Sequence, residues 1–164
     1  MIGAVFLDRE GVITPKLGRG EYLLRTEEAV IAPGVTEVLR RLQSKGIRLF
    51  IVSNQSCVGR GLFSQKECDA LHAMIVGKLA AEGITITASR ICPHTDEDVC
   101  PCRKPKPGMI LELCELHGIA PAESAMIGDS ATDIEAGSAA GCADVFLVES
   151  GQEFADAVRQ ILSE

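Results

Sequence analysis

The chain has 164 residues, 46% of them hydrophobic and 24% charged, with a formal net charge of −7 and a sequence pI near 5.0. This composition supports a packed core and one compact domain, expected over residues 1–164. It argues against a nucleic-acid partner, which calls for a basic face, and against a membrane protein, because no apolar run is long enough to span a bilayer.

Taken in chain order, residues 2–7 and 47–52 are short apolar runs that predict buried strands of a parallel sheet. Further strands are predicted over 84–91, 124–127 and 143–148. Between them, Val35, Val38, Leu39 and Leu42 repeat at helical spacing, with Gly46 as a stop. Ser64-Gln65-Lys66-Glu67 reads as a capping box that opens a helix running to about residue 82. Pro107 suits the first position of a helix that Gly118 ends, and an amphipathic helix is predicted over 152–162. The alternation predicts an α/β fold, a Rossmann-like three-layer sandwich with a mostly parallel central sheet. Residues 9–33 form a long irregular loop, a length that in compact domains marks function.

The start of the chain passes directly from Met1-Ile2-Gly3-Ala4-Val5-Phe6 to the charged Asp8-Arg9-Glu10. It has none of the features of a signal peptide, so a cytoplasmic location is expected. Seven cysteines are an odd count, which disfavours a purely disulfide framework. In a reducing compartment clustered cysteines more often hold metal or do chemistry.

In open parallel sheets, ligands bind beyond the carboxyl ends of the strands. The residues there are Asp8-Arg9-Glu10-Gly11, Ser53-Asn54-Gln55, Cys92-Pro93-His94 with Cys100 to Lys104, and Gly128-Asp129-Ser130 with Asp133 one turn on. This set suits phosphoryl transfer. Carboxylates hold Mg²⁺, and the ion and Lys104 neutralise phosphoryl oxygens. Asp8 can attack phosphorus to give an aspartyl-phosphate, while the acid two residues on protonates the leaving oxygen and then activates water. Gly11 permits a sharp turn beside the metal. Separately, Cys92, His94, Cys100 and Cys102 have the ligand types of a closed Cys₃His zinc site, although their short spacings differ from those of a zinc finger. Cys57, Cys68, Cys114 and Cys142 show no ligand spacing and read as core packing. His72 and His117 fall in helical patterns and are assigned no catalytic role.

Asp8-Arg9-Glu10-Gly11-Val12, Ser53-Asn54, Lys104 and Gly128-Asp129 with Asp133 resemble the four ordered motifs of the haloacid dehalogenase superfamily. The resemblance implies Asp8 as nucleophile and Mg²⁺ held by Asp8, the backbone carbonyl of Glu10 and Asp129. It implies Ser53 and Lys104 on the transferred phosphate, and Asp133 supporting the metal site or Lys104. A finer resemblance is to the histidinol-phosphate and heptose-bisphosphate phosphatase branch. It is carried by Phe6-Leu7-Asp8-Arg9, Ser53-Asn54-Gln55-Ser56, Gly59-Arg60-Gly61, Cys92-Pro93-His94 and Cys102 through Met109. That branch implies no large cap domain, a zinc-binding loop at Cys92, His94, Cys100 and Cys102, and specificity resting on residues 14–28 and the cysteine loop. Asn54, Arg60 and Arg103 join the expected phosphate and substrate contacts.

Two positions depart from the pattern. Glu10 stands where the family has Asp, which predicts slower turnover, and Ser130 stands where the branch often has a basic residue. Gly59-Arg60-Gly61 and Pro107-Gly108-Met109 favour a heptose 1,7-bisphosphate substrate, whereas the short gap between His94 and Cys100 favours histidinol phosphate. A non-catalytic phospho-ligand binding module rests on Glu10 alone. The expected partner is a small phosphorylated substrate, and the expected state is a monomer.

Overall fold

A computed structural model describes every residue except Arg19 and Glu164. Among the described residues, β1 (Ala4–Leu7), β2 (Arg48–Asn54), β3 (Ile86–Cys92), β4 (Ser124–Gly128) and β5 (Asp144–Leu147) form one sheet in the order β3-β2-β1-β4-β5, every pair parallel. The helices are α1 (Val35–Ser44), α2 (Gln65–Ala81), α3 (Gly108–His117), α4 (Ala131–Ala140) and α5 (Gly151–Leu162).

β1 shows why the middle layer reads as an unbroken apolar run. Val5 and Leu7 pack with Leu39 of α1, Ile75 of α2 and Phe154 of α5 on one face. Ala4 and Phe6 pack with Leu113 of α3 and Ala136 of α4 on the other. Both faces of the strand are therefore covered, the usual condition of a parallel sheet. All four of its side chains are fully buried, and each large one contributes roughly 1.5–3 kcal/mol of transfer free energy. Phe6 and Phe50 add a tilted ring pair with centroids 5.3 Å apart.

The helix ends follow local chemistry. Glu67 N–H donates to Ser64 Oγ at 3.2 Å and Ser64 N–H donates to Glu67 Oε2 at 2.8 Å, closing the predicted capping box. Pro107 precedes α3 rather than opening it, and Gly108 is the first helical residue. Gly108 lies so close to the Pro101 carbonyl that a Cβ there would collide with it. β3 begins two residues later than predicted, because Ile84 N–H donates to Leu79 O and still belongs to the end of α2. α4 has no apolar stripe in its sequence, Ala-Thr-Asp-Ile-Glu-Ala-Gly-Ser-Ala-Ala. It docks through small residues, and Gly137 lets its backbone lie against Met126.

β1 is central, with β2 on one side and β4 on the other, so the order of strands reverses direction at β1. The crevice at the carboxyl end of such a switch is where ligands bind in open α/β sheets. Residues 8–34 separate β1 from α1 and residues 55–64 separate β2 from α2, neither long enough for a large cap domain. No described helix is long and apolar enough to cross a membrane.

Candidate active site

Asp8 follows β1 directly, and its N–H still donates to Ile127 O of β4 at 3.0 Å. The chain then turns back at once. Ile13 and Thr14 N–H groups donate to Arg9 O at 2.8 and 2.9 Å. Gly11 takes φ +84°, and a Cβ there would strike the Asp129 carboxylate. The turn therefore requires glycine both for its dihedral angle and for the close approach of residues 10–11 to Asp129.

Lys104 reaches the same point from the loop after β3. Its ammonium donates to Asp8 Oδ1 at 2.9 Å, Asp133 Oδ1 at 2.5 Å and Val52 O at 2.8 Å. Burial works against its charge, yet the Asp8 and Asp133 carboxylates outweigh that cost and hold its pKa above the ordinary value. Asp8 is pushed up to about 7, first by burial and then by the neighbouring Asp133 and Glu10 carboxylates, with Lys104 pulling the other way. Asp133 is fully buried, and its second oxygen accepts from Ser130 N at 3.1 Å and Ser130 Oγ at 2.7 Å. One carboxylate thus caps α4 and fixes Lys104.

The carboxylate oxygens of Asp8, Asp129 and Asp133 lie within 4.8 Å of one another. An all-oxygen set suits a hard divalent cation such as Mg²⁺. Both oxygens of Asp133 are committed to Lys104 and Ser130, whereas Asp8 engages Lys104 through Oδ1 and Asp129 engages Lys16 through Oδ2, so these two each keep an oxygen that could bind one. Lys16 Nζ sits 3.3 Å from Asp129 Oδ2.

Glu10 turns the other way. Its Oε1 accepts from Arg9 Nε at 2.7 Å, and its Oε2 accepts from Gln55 Nε2 at 2.8 Å and Ser53 Oγ at 3.4 Å. Arg9 is fully buried, and its Nη2 lies 2.6 Å from Glu10 Oε1 without hydrogen-bond alignment. The longer glutamate is thereby held beside Asp8 as a partnered carboxylate that still lines the cavity. Gln55 and Arg9 are the residues the sequence reading left without a role. Arg9 lies in the turn after β1, fully buried, and its guanidinium is partnered by the Glu10 carboxylate.

The predicted site residues do not all converge. A cavity of ≈ 200 Å³ is lined by Asp8, Glu10, Asn54, Lys104, Asp129 and Asp133 among others. Ser53 lies just beneath, fully buried. Asn54 positions Lys104 rather than offering a free amide, since Nδ2 donates to Lys104 O and Oδ1 accepts from Lys104 N, both at 3.0 Å. Arg103 and Arg60 lie outside the cavity lining. Arg103 donates to Asp96 Oδ1 at 2.7 Å and His94 O at 3.2 Å, and Arg60 lines a separate groove with Asp96. The loop 14–28 reaches the cavity through Lys16, Glu21 and Tyr22, whose hydroxyl bonds Ser56 Oγ at 3.0 Å. Residue 19 of that loop lies outside the described residues.

The cysteine loop gathers its four predicted ligands. Cys92 Sγ lies 3.5 Å from His94 Nδ1, 4.0 Å from Cys100 Sγ and 3.2 Å from Cys102 Sγ, and His94 Nδ1 lies 3.3 Å from Cys102 Sγ. No described cysteine is in a disulfide. These separations suit a tetrahedral ion with bonds of about 2.3 Å to sulfur and about 2.0 Å to nitrogen. Lys106 Nζ donates to Cys100 O at 2.6 Å, tying the loop to the start of α3.

With a carboxylate at the switch point, a buried lysine and a neighbouring pair of carboxylates in place, the chain belongs to the haloacid dehalogenase-like hydrolases, whose family model matches residues 7–141. Among its relatives is the D-glycero-beta-D-manno-heptose-1,7-bisphosphate 7-phosphatase of Rhodopseudomonas palustris, 39% identical over 98% of this chain and 91% of that protein. The D-glycero-alpha-D-manno-heptose-1,7-bisphosphate 7-phosphatase of Mycobacterium bovis is 34% identical over 86% and 77%. The crystal structure of D,D-heptose 1,7-bisphosphate phosphatase from B. bronchiseptica, complexed with magnesium and phosphate, superposes with a TM-score of 0.88 at 28% identity, covering 99% of each chain.

Proposed function

We propose that this chain is a Mg²⁺-dependent phosphatase that removes the 7-phosphate from a D-glycero-D-manno-heptose 1,7-bisphosphate, working as a cytoplasmic monomer. The observation that carries the reading is the buried Asp8–Lys104–Asp133 chain at the end of the central strand, with Asp129 alongside. The relatives named above supply the substrate, and they outweigh the short His94–Cys100 gap that favoured histidinol phosphate.

Asp8, the Glu10 backbone carbonyl and Asp129 would hold Mg²⁺, which when bound supplies Lewis-acid neutralisation of the phosphoryl oxygens. Asp8 attacks phosphorus, and the bond from phosphorus to the sugar oxygen breaks. Lys104 neutralises the transferred group, and Ser53 offers it a hydroxyl. Glu10, taking up a proton as it exchanges its bond from Arg9 for the leaving oxygen, gives that proton to the leaving oxygen, and the carboxylate so formed then takes a proton from the water that hydrolyses the aspartyl-phosphate. Cys92, His94, Cys100 and Cys102 hold a structural Zn²⁺. A four-ligand site leaves no open position for catalysis, and its task is to fix the loop that delivers Lys104.

Phosphate release tests the assignment, measured on both heptose 1,7-bisphosphate anomers and on histidinol phosphate with and without Mg²⁺. The expected result is Mg²⁺-dependent release from a heptose bisphosphate at a kcat/KM at least tenfold above that for histidinol phosphate. Equal rates on both classes, or none on either, overturn the assignment.

A further inference from the structure

The cavity at Asp8 is lined by five carboxylates but, among the described residues, by only two cations, Lys16 and Lys104. Lys104 is committed. Its side chain is 3% exposed, and its ammonium is shared among Asp8, Asp133 and the Val52 carbonyl. A sugar bisphosphate brings a second phosphate carrying about −1.5 to −2 charges at neutral pH, and an acid-lined mouth repels it unless a further cation meets it.

Lys16 is differently placed. Its side chain is 55% exposed, and among the described residues its Nζ makes two long contacts, 3.3 Å to Asp129 Oδ2 and 3.5 Å to Asp129 O. One of those partners is the carboxylate a divalent ion would take. Arg103 lies outside the cavity lining, paired with Asp96 and the His94 carbonyl, and Arg60 lies in another groove. Ser130 and Thr132, at the same rim, offer hydroxyls but no charge.

We infer that Lys16 is the specificity-determining cation of this site. It neutralises Asp129 while the metal is away and, released when Mg²⁺ takes that carboxylate, pairs with the phosphate that is not transferred. The inference rests on the bisphosphate reading above. It also predicts coupling, because Mg²⁺ must displace Lys16 to bind and thereby prepares the cavity for the second anion.

Two measurements on the full chain test it. Calorimetric titration of the metal-free protein with Mg²⁺ alone should show about two- to fivefold tighter binding in Lys16→Met, since an exposed ion pair is broken on metal entry. The ratio of kcat/KM for the heptose 1,7-bisphosphate to that for the same heptose bearing only the 7-phosphate should fall about tenfold in Lys16→Met, through KM, with Lys16→Arg restoring most of it. Unchanged or weaker Mg²⁺ binding overturns the counter-ion role. An unchanged ratio in Lys16→Met overturns the specificity role. A wild-type enzyme that takes both sugars equally overturns the bisphosphate reading instead, while the Mg²⁺ titration still decides the counter-ion role.

Discussion

The two sides of the Asp8–Glu10 turn are built to different standards. In front, Asp8, Lys104, Asp133 and Ser130 form a chain in which the Lys104 ammonium and both Asp133 oxygens have partners. Behind, Arg9 is fully buried and ion-paired with Glu10, yet among the described residues its Nη1 and Nη2 have no aligned hydrogen-bond acceptor and both buried ring nitrogens of His72 nearby have no hydrogen-bond partner. A satisfied low-dielectric network holds charge in place before substrate arrives, whereas an incomplete one has atoms free to exchange partners. On the proposed function, the front is the part that must hold the phosphoryl-transfer geometry, and the back is the part that receives the Glu10 side chain.

The largest effect is expected in front. Asp8→Asn removes the nucleophile while keeping its size and its contact with Lys104, so turnover should drop by at least ~10⁴-fold. A single-turnover phosphate-release assay, run beside an equilibrium phosphate-binding measurement, checks it. Retained binding with lost turnover marks an enzyme. Turnover within tenfold of wild type would remove Asp8 from the chemistry and make the front network a binding device.

A smaller effect should come from the loop that brings Lys104 forward. Cys102→Ser removes one of the four gathered ligands, so zinc content by elemental analysis should fall from about one per chain toward zero. Turnover should drop by about a hundredfold as Lys104 loses its placement. Wild-type protein purified without zinc, yet fully active, would show that the thiols hold the loop by packing alone.

The back of the turn is best probed by pH. Burial, followed by the Arg9 charge, pushes His72 down to about 4, below the ordinary 6.5. Between these values the unfolded chain binds the proton that the folded chain refuses. The His72 contribution is therefore fully present above about 6.5 and is lost as pH falls toward 4. At 1.36 kcal/mol per unit this is at most ~3 kcal/mol. Urea unfolding at pH 7 and pH 4.5 should show wild type losing about 2 kcal/mol more than His72→Leu over that interval. Equal losses would mean that His72 can reach solvent and that the back is less closed than the front.

How much of this arrangement could be read beforehand divides along the same line. Asp8, Lys104 and Asp129 are far apart in the chain, yet each follows a strand end, and the strand-end rule brings them together. The Cys92–Cys102 loop and the Ser64 cap are local spacings, visible without any fold. α4 was hidden because its docking depends on what is missing, the side chain of Gly137 against Met126. Arg60 and Arg103 are cations near the phosphate motifs in the sequence, and in the fold they lie outside the cavity lining, with Arg103 paired to Asp96, only seven residues before it. Arg9 has no role of its own in the motif, and only packing reveals that it is buried against Glu10.

Glu10 itself is where the two sides meet. It is held through Arg9 Nε at 2.7 Å and Gln55 Nε2 at 2.8 Å, and the acid–base role proposed for it requires one of those bonds to be exchanged for substrate. An aspartate reaches one methylene less far, loosens the bond from Arg9 and spends more time facing the leaving oxygen. Glu10→Asp should therefore raise kcat by about three- to tenfold, with hydrolysis of the aspartyl-phosphate gaining most. In wild type, slow hydrolysis should appear as a burst of sugar product ahead of steady-state phosphate release, and the burst should shrink in the variant. If Glu10→Asp is no faster and the burst is unchanged, the reach of residue 10 does not limit the second half-reaction. The unsatisfied back of the turn would then be a cost to stability alone, with no hold on the rate.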